Sequence, residues 1–289
     1  MGSSREMDVA VPSFVKALRP FSLVVALVSC GLGVALALLA QQGGSVRAVV
    51  IVLAGLLLQG GVNLINDQSD LPLLQGDQYQ RLRTVIRRHT RWGYWCIGLS
   101  ALVGGLFIVD VGWTLLLLVA LGLIGAVGYT TEPIHYKRRG LGVPLVFWLM
   151  GVLMIVGAYH AMGAPLSTSI FWLSLPVSML VALLLLSNEL RDWEDDCRDG
   201  VQTLTVRLGY QRAARLYLIM LLATYLIALG LWQQGLLLRL WPLLPSLLLL
   251  PELLRLLRQP AVQRISLTPK TGRLLLLFGV LFVGCLVNV

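Results

Sequence analysis

Eight of the 14 Asp and Glu residues fall in two short stretches, in a chain otherwise dominated by apolar side chains. The first reads Asn63-Leu-Ile-Asn66-Asp67-Gln-Ser-Asp70. The second runs from Asn188 to Gly200 and contains Asp192, Glu194, Asp195, Asp196 and Asp199. Both carry the spacing Asn-x3-Asp-x2-Asp. On a helix these offsets place the three polar side chains on one face. Carboxylates beside a membrane span are costly and usually mark function. Crowded and unpaired, they repel and raise one another's pKa. A hard cation relieves that repulsion, and Mg²⁺ is commonly held by one or two carboxylates together with substrate phosphates. Neutral Asn63, Asn66 and Asn188 add hydrogen bonds without adding charge. The chemistry indicated is the binding of a metal-bound diphosphate. The alternative is a solvated helix end in which Arg191 and Arg198 pair with the acids.

A third stretch has the cations such a ligand needs: Tyr129-Thr-Thr-Glu-Pro-Ile-His-Tyr136-Lys137-Arg138-Arg139-Gly140-Leu-Gly142. Lys137 is the candidate diphosphate contact. The competing reading gives these cations a topological role and places the tyrosines in the interfacial belt. The run from Arg81 to Arg91 is read as topology and contact with anionic lipid. His89, His135 and His160 are isolated from any nucleophile. The four cysteines, Cys30, Cys96, Cys197 and Cys285, form no CxxC pair, so neither a disulfide framework nor a zinc site is indicated.

The elements that position these motifs follow from composition. Apolar residues make up 57% of the 289 and charged residues only 13%. Mean hydropathy is +0.81. About 20 apolar residues suffice to span a bilayer as a helix. Nine spans are expected in a single all-α domain over 1–289: about 20–40, 48–66, 93–109, 113–131, 143–162, 170–188, 216–234, 236–254 and 274–289. The net charge of +9 is distributed as membrane topology requires rather than as a nucleic-acid surface. Of the 23 Lys and Arg, all but Arg47 and Arg239 fall at the N-terminus or in four alternate loops. The positive-inside rule places these in the cytoplasm, together with both acidic motifs. Each motif follows an even-numbered span, a weak sign of an internal repeat.

The motifs together resemble the UbiA superfamily of intramembrane prenyltransferases over nearly the whole length. The resemblance rests on Arg19-Pro20, the Asn63–Asp70 motif, the Tyr129–Gly142 loop and the block from Asn188 to Gly209. The ending Gly200-x-x-Thr203-Leu-x-Val-Arg207-Leu-Gly209 looks most like the branch that prenylates 1,4-dihydroxy-2-naphthoate in menaquinone biosynthesis. The resemblance implies nine helices in a ring around a central cavity open laterally to membrane lipid. It implies Mg²⁺-dependent transfer of a polyprenyl group from polyprenyl diphosphate to an aromatic acceptor, through an allylic cation. Carried over by position, Asp67, Asp70, Asp192 and Asp196 match metal-ligand carboxylates. Asn63, Asn66, Tyr129, Asn188 and Arg191 match substrate-binding positions, and Lys137 a catalytic cation. Leu74, Val143 and Val201 stand where many relatives have charged residues. Alternatives are the same chemistry on 4-hydroxybenzoate, a chlorin or a haem, or a non-catalytic carrier or lipid-binding scaffold.

Overall fold

The computed structural model describes residues 13–68, 71, 74, 76–128 and 136–286. A short helix, α1 (Phe14–Leu18), starts with Ser13 Oγ accepting from the Lys16 amide and ends at Arg19 in a left-handed conformation, φ 49°. Pro20 then opens α2 (Pro20–Leu39), as proline's fixed φ and missing N–H allow at a first helical position. It is followed by α3 (Ser45–Asn66), α4 (Gln80–Val111), α5 (Trp113–Gly128), α6 (Gly142–Ala161) and α7 (Thr168–Arg191). Two short helices, α8 (Trp193–Arg198) and α9 (Leu204–Leu208), lead into α10 (Tyr210–Gln233). The last long helix is α11 (Leu267–Gly284).

The described residues contain seven helical segments long and apolar enough to cross a membrane, so the expected count of nine is not reproduced. The span expected over 113–131 is the 16-residue helix α5, too short for the bilayer-length criterion. The span expected over 236–254 is broken into short pieces, Trp241–Leu243, Leu244–Leu247 and Leu250–Leu256. Each piece has a proline in its first turn, at Pro242, Pro245 and Pro251, where no backbone donor is needed. Three boundaries also move. Arg81–Arg91 lies on the 32-residue helix α4 rather than in a loop, and Arg212 and Arg215 lie on α10. The final span reaches back past Lys270 and Arg273. Long cationic side chains extend to the interface, so charge near an end does not terminate a helix.

Helices α2, α3, α4, α5 and α6 contact one another in a closed circuit, with α7 completing the wall. They surround an apolar cavity of about 250 Å³. Helices α10 and α11 pack on α7 and α2 and line none of this cavity. Glycine allows the closest approaches. A Cβ at Gly33 in α2 would sit 2.3 Å from the Ile155 carbonyl oxygen in α6, and one at Gly61 would sit 2.7 Å from the Gly93 carbonyl oxygen. The outer faces carry exposed Leu102, Leu106, Val109, Leu121 and Ile219, as a surface facing lipid requires.

Helix α6 contains a π-helical stretch, Phe147–Leu153. Such insertions recur at functional sites. Here Leu149, Met150 and Leu153 line the cavity, and Ser29 Oγ donates to the Met150 carbonyl at 2.8 Å.

Candidate active site

The first motif closes α3 at the corner between α1 and α2. Asn63 is buried, and its Nδ2 donates to the Leu18 carbonyl (2.7 Å) and to Ser22 Oγ (2.6 Å). Its Oδ1 accepts from Gln59 Nε2 at 3.2 Å. Both ends of this amide are therefore engaged within the protein, and they fix the corner that presents Arg19. Arg19 Nη2 lies 2.9 Å from Asp67 Oδ1. With its amide turned to place oxygen toward Arg19, buried Asn66 accepts from both terminal guanidinium nitrogens, at 2.5 and 2.7 Å. Asp70 lies outside the described residues.

The second motif closes α7. Asn188 is half-buried and lines the cavity. Arg191 donates from Nε and Nη2 to the two oxygens of Asp192, at 2.7 and 2.6 Å. This is the bidentate geometry that makes guanidinium–carboxylate bonds strong. Three further acids each have a different partner. Asp195 pairs with Arg198 (3.0 Å), and Glu194 pairs with Arg264. Asp196 Oδ2 accepts from Thr203 Oγ1 at 3.2 Å. The ion pairs to Arg191 and Arg198 that the alternative reading named are present, for Asp192 and Asp195.

Two residues outside the expected site build its frame. Glu189 is buried within the apolar end of α7, where its Oε2 accepts from the Thr205 amide (3.1 Å) and its carbonyl from Thr205 Oγ1 (3.2 Å). It folds the Thr203–Leu208 segment back on the motif. Arg264 is almost fully buried, stacks over the Tyr210 ring at 4.4 Å, and holds Glu194 from behind. Glu189 was visible as an acid inside an apolar run. Arg264 gave no local signal, because it lies 70 residues from its partner.

The tyrosine–lysine loop joins the same end of the bundle. Tyr136 is buried, lines the cavity and donates to the Gly125 carbonyl. Gly140 has φ 72°, and a Cβ there would sit 2.6 Å from Arg207 Cδ, so the loop lies tight against the segment that follows motif two. Lys137 belongs to the short 3₁₀ helix Tyr136–Arg139, but its side chain, like Tyr129, lies outside the described residues.

Arg19, Asn63, Asn66, Tyr136 and Asn188 therefore share one polar rim on a cavity whose remaining walls are mostly apolar, with Ser22, Gln59 and Ser100 the other polar residues in its lining. Asp67 follows Asn66 directly, and Asp192 lies one turn after Asn188. Among the described residues no group of three or more His, Cys, Asp or Glu is placed to hold a metal. The oxygen donors of each motif nevertheless suit Mg²⁺, which takes one or two carboxylates when phosphates complete its shell.

A model of the UbiA prenyltransferase family matches residues 23–270. The chain belongs to that family. It is an integral membrane prenyltransferase. It is 26% identical over 240 residues to the 1,4-dihydroxy-2-naphthoate octaprenyltransferase of Haemophilus influenzae, covering 76% of this chain and 77% of that one. It is 28% identical over 281 residues to UbiA prenyltransferase domain-containing protein 1 of Gallus gallus, covering 94% and 83%. A UbiA homologue from Archaeoglobus fulgidus, solved bound to GPP and Mg²⁺, shares the fold with a TM-score of 0.62 at 15% identity, over 94% of this chain and 99% of the other.

Proposed function

We propose that this UbiA-family enzyme, acting as a single unit over 1–289, transfers a polyprenyl group from polyprenyl diphosphate to 1,4-dihydroxy-2-naphthoate, with Mg²⁺. The observation that carries this reading is the junction of the polar rim of Arg19, Asn66 and Asn188 with an apolar cavity. That junction matches a donor with an anionic head and a hydrocarbon tail. Each buried CH₂ of the tail contributes about 0.8 kcal/mol. The GPP and Mg²⁺ bound by the Archaeoglobus homologue support the donor and the metal. The Haemophilus relative supports the acceptor.

When bound, Mg²⁺ would supply charge neutralisation for the leaving diphosphate. Asp67, Asp70, Asp192 and Asp196 are the proposed carboxylates that hold it. Arg19 and Arg191, each paired with one of these acids, are the guanidiniums proposed to contact the diphosphate. Lys137 adds a charge-assisted contact, and Asn66, Asn188 and Tyr129 bind around the head. The apolar walls exclude water, which would otherwise capture the allylic cation. Attack by the electron-rich acceptor ring forms the new carbon–carbon bond, and the ring then loses a proton.

A second acceptor is favoured by Leu74, Val143 and Val201, which stand where many relatives have charged residues. Val143 is buried at the start of α6, where a charged side chain would lack solvent. The deciding assay uses purified enzyme in nanodiscs with Mg²⁺, polyprenyl diphosphates of several lengths and four acceptors: 1,4-dihydroxy-2-naphthoate, 4-hydroxybenzoate, a chlorin and a haem. Mass spectrometry should show prenylated naphthoate. Product only from another acceptor overturns the assignment, and no turnover with any of them supports a carrier. The distribution of the basic residues supports a cytoplasmic rim. Single cysteines at Gly76 and Gly200 in a Cys-free background should resist an impermeant outside reagent, and one at Gln234 should react.

A further inference from the structure

We propose that the groove between the start of α10 and the Leu250–Leu256 helix is a binding site for one anionic phospholipid. It is a separate site of about 400 Å³, lined by Tyr210, Arg215, Leu218, Leu254, Leu257 and Arg258 among others. None of these residues lines the cavity of the active site.

Two features define its ligand. Arg215 and Arg258 are exposed, and neither guanidinium makes a hydrogen bond or ion pair among the described residues. This contrasts with Arg19, Arg191, Arg198 and Arg264, which all hold carboxylates. Two unpaired guanidiniums on one groove are donors without an acceptor, and a phosphate is the anion their fork fits. Leu218 and Leu254 are also exposed, and they offer hydrocarbon beside those charges. A free phosphate would leave them uncovered, whereas a phospholipid satisfies both.

Depth supports the same ligand. Tyr210 packs edge to face on Trp193 of the second motif, with ring centroids 5.8 Å apart, so the groove opens on the face that carries the acids. From Tyr210 to Leu218 the helix rises about 12 Å, roughly the passage from headgroup to upper acyl chain. Basic pockets between membrane helices at this depth bind anionic headgroups. The wall is rigid, because Tyr210 donates to the Leu257 carbonyl at 2.7 Å and lies beneath Arg264.

The test is native mass spectrometry of the full chain in detergent, titrated with dioleoyl phosphatidylglycerol or dioleoyl phosphatidylcholine. Wild type should retain the phosphatidylglycerol preferentially. Arg215→Gln/Arg258→Gln should weaken that retention about 25-fold, from roughly one fivefold factor per arginine. Arg212→Gln/Arg255→Gln removes the same charge from neighbouring positions outside the groove lining and should leave retention near wild type. Leu254→Glu, which leaves both arginines in place, should also weaken retention. Unchanged binding in the groove variant overturns the proposal. Equal losses in both double variants overturn it in favour of a diffuse basic surface. Full competition by millimolar inorganic phosphate overturns it in favour of a soluble anion.

Discussion

Arg19 reaches Asp67 with Nη2 2.9 Å from Oδ1, from a backbone held at φ 49° immediately before Pro20. A left-handed residue is uncommon outside glycine, asparagine and aspartate, and a residue preceding proline is normally extended. The strain persists because Asn63 fixes the Leu18 carbonyl while Asn66 and Asp67 hold the side chain. The first motif thus determines the shape of the corner that supplies its own counter-charge.

The acids should be indispensable to turnover and dispensable to folding. Asp67→Asn and Asp192→Asn should each reduce prenyl transfer below detection. Expression and melting temperature should change little, because partly exposed ion pairs contribute only about 0–1 kcal/mol. EDTA should silence the wild type and Mg²⁺ restore it. Wild-type rates in either variant would remove these carboxylates from the reaction.

Lys137 and Arg139 share a four-residue 3₁₀ helix, so comparing them separates chemistry from topology. Lys137→Gln should lose about 1–3 kcal/mol in kcat/KM for the prenyl donor, the cost of removing one partner of a charged hydrogen bond. A rise in KM alone would mean that Lys137 grips the diphosphate equally in ground and transition states. A fall in kcat would mean that it acts on the developing charge. Equal, small effects from Lys137→Gln and Arg139→Gln would return Lys137 to a topological role.

The Arg264–Glu194 pair is asymmetric: the arginine side chain is 3% exposed and the glutamate 39%. Glu194→Leu strands a buried guanidinium and should destabilise the protein by about 2–3 kcal/mol, below the range for a fully buried pair. Arg264→Leu leaves a carboxylate that water can solvate. The double variant should therefore cost less than the two single changes added together, as a thermal-denaturation cycle in detergent will show. Strict additivity would mean the pair is not coupled.

Two glycines in α2 give opposite expectations. Gly33→Ala drives a methyl group against the Ile155 carbonyl and the Tyr159 amide of α6, and should cost about 1–3 kcal/mol or more. Gly31→Ala meets nothing within 4 Å and should be neutral or mildly stabilising. Equal melting temperatures for the two variants would show that α2 and α6 do not approach as closely as described.

The spans and the motif ends were legible because both depend on local runs of residues. Span 170–188 and helix α7 agree to within a few residues, and 20–40 agrees with α2. Where one local signal was read as a boundary it misled. Arg87 and Arg88 looked like loop yet sit on α4, since a long side chain can leave the apolar layer while its backbone remains helical. The eighth span looked continuous in hydropathy, but three prolines divide it. In the site, the matched spacing correctly marked two helix ends but not what each acid touches. Asp195 and Asp196 differ by one residue and face different partners, Arg198 and Thr203. Contacts made across long stretches of chain, such as Arg264 with Glu194 or Arg207 with Gly140, leave no trace in spacing.

Along α6, Val146, Met150, Met154 and Ala158 all face the cavity, as do Leu149, Leu153, Gly157 and Ala161. Both series advance by four residues. In a regular α-helix such a series slips about 40° around the axis at each step, or about 120° from first to last. Val146 and Ala158 would then point about 120° apart around the axis. The π stretch Phe147–Leu153 has more residues per turn and takes up that slippage. A strip of side chains that would spiral off the wall runs straight from rim to floor. Under the proposed function, a hydrocarbon tail lying along α6 would meet one continuous strip because of this local change of helical pitch, and removing one residue from the π stretch should turn the lower half of the strip away from the cavity.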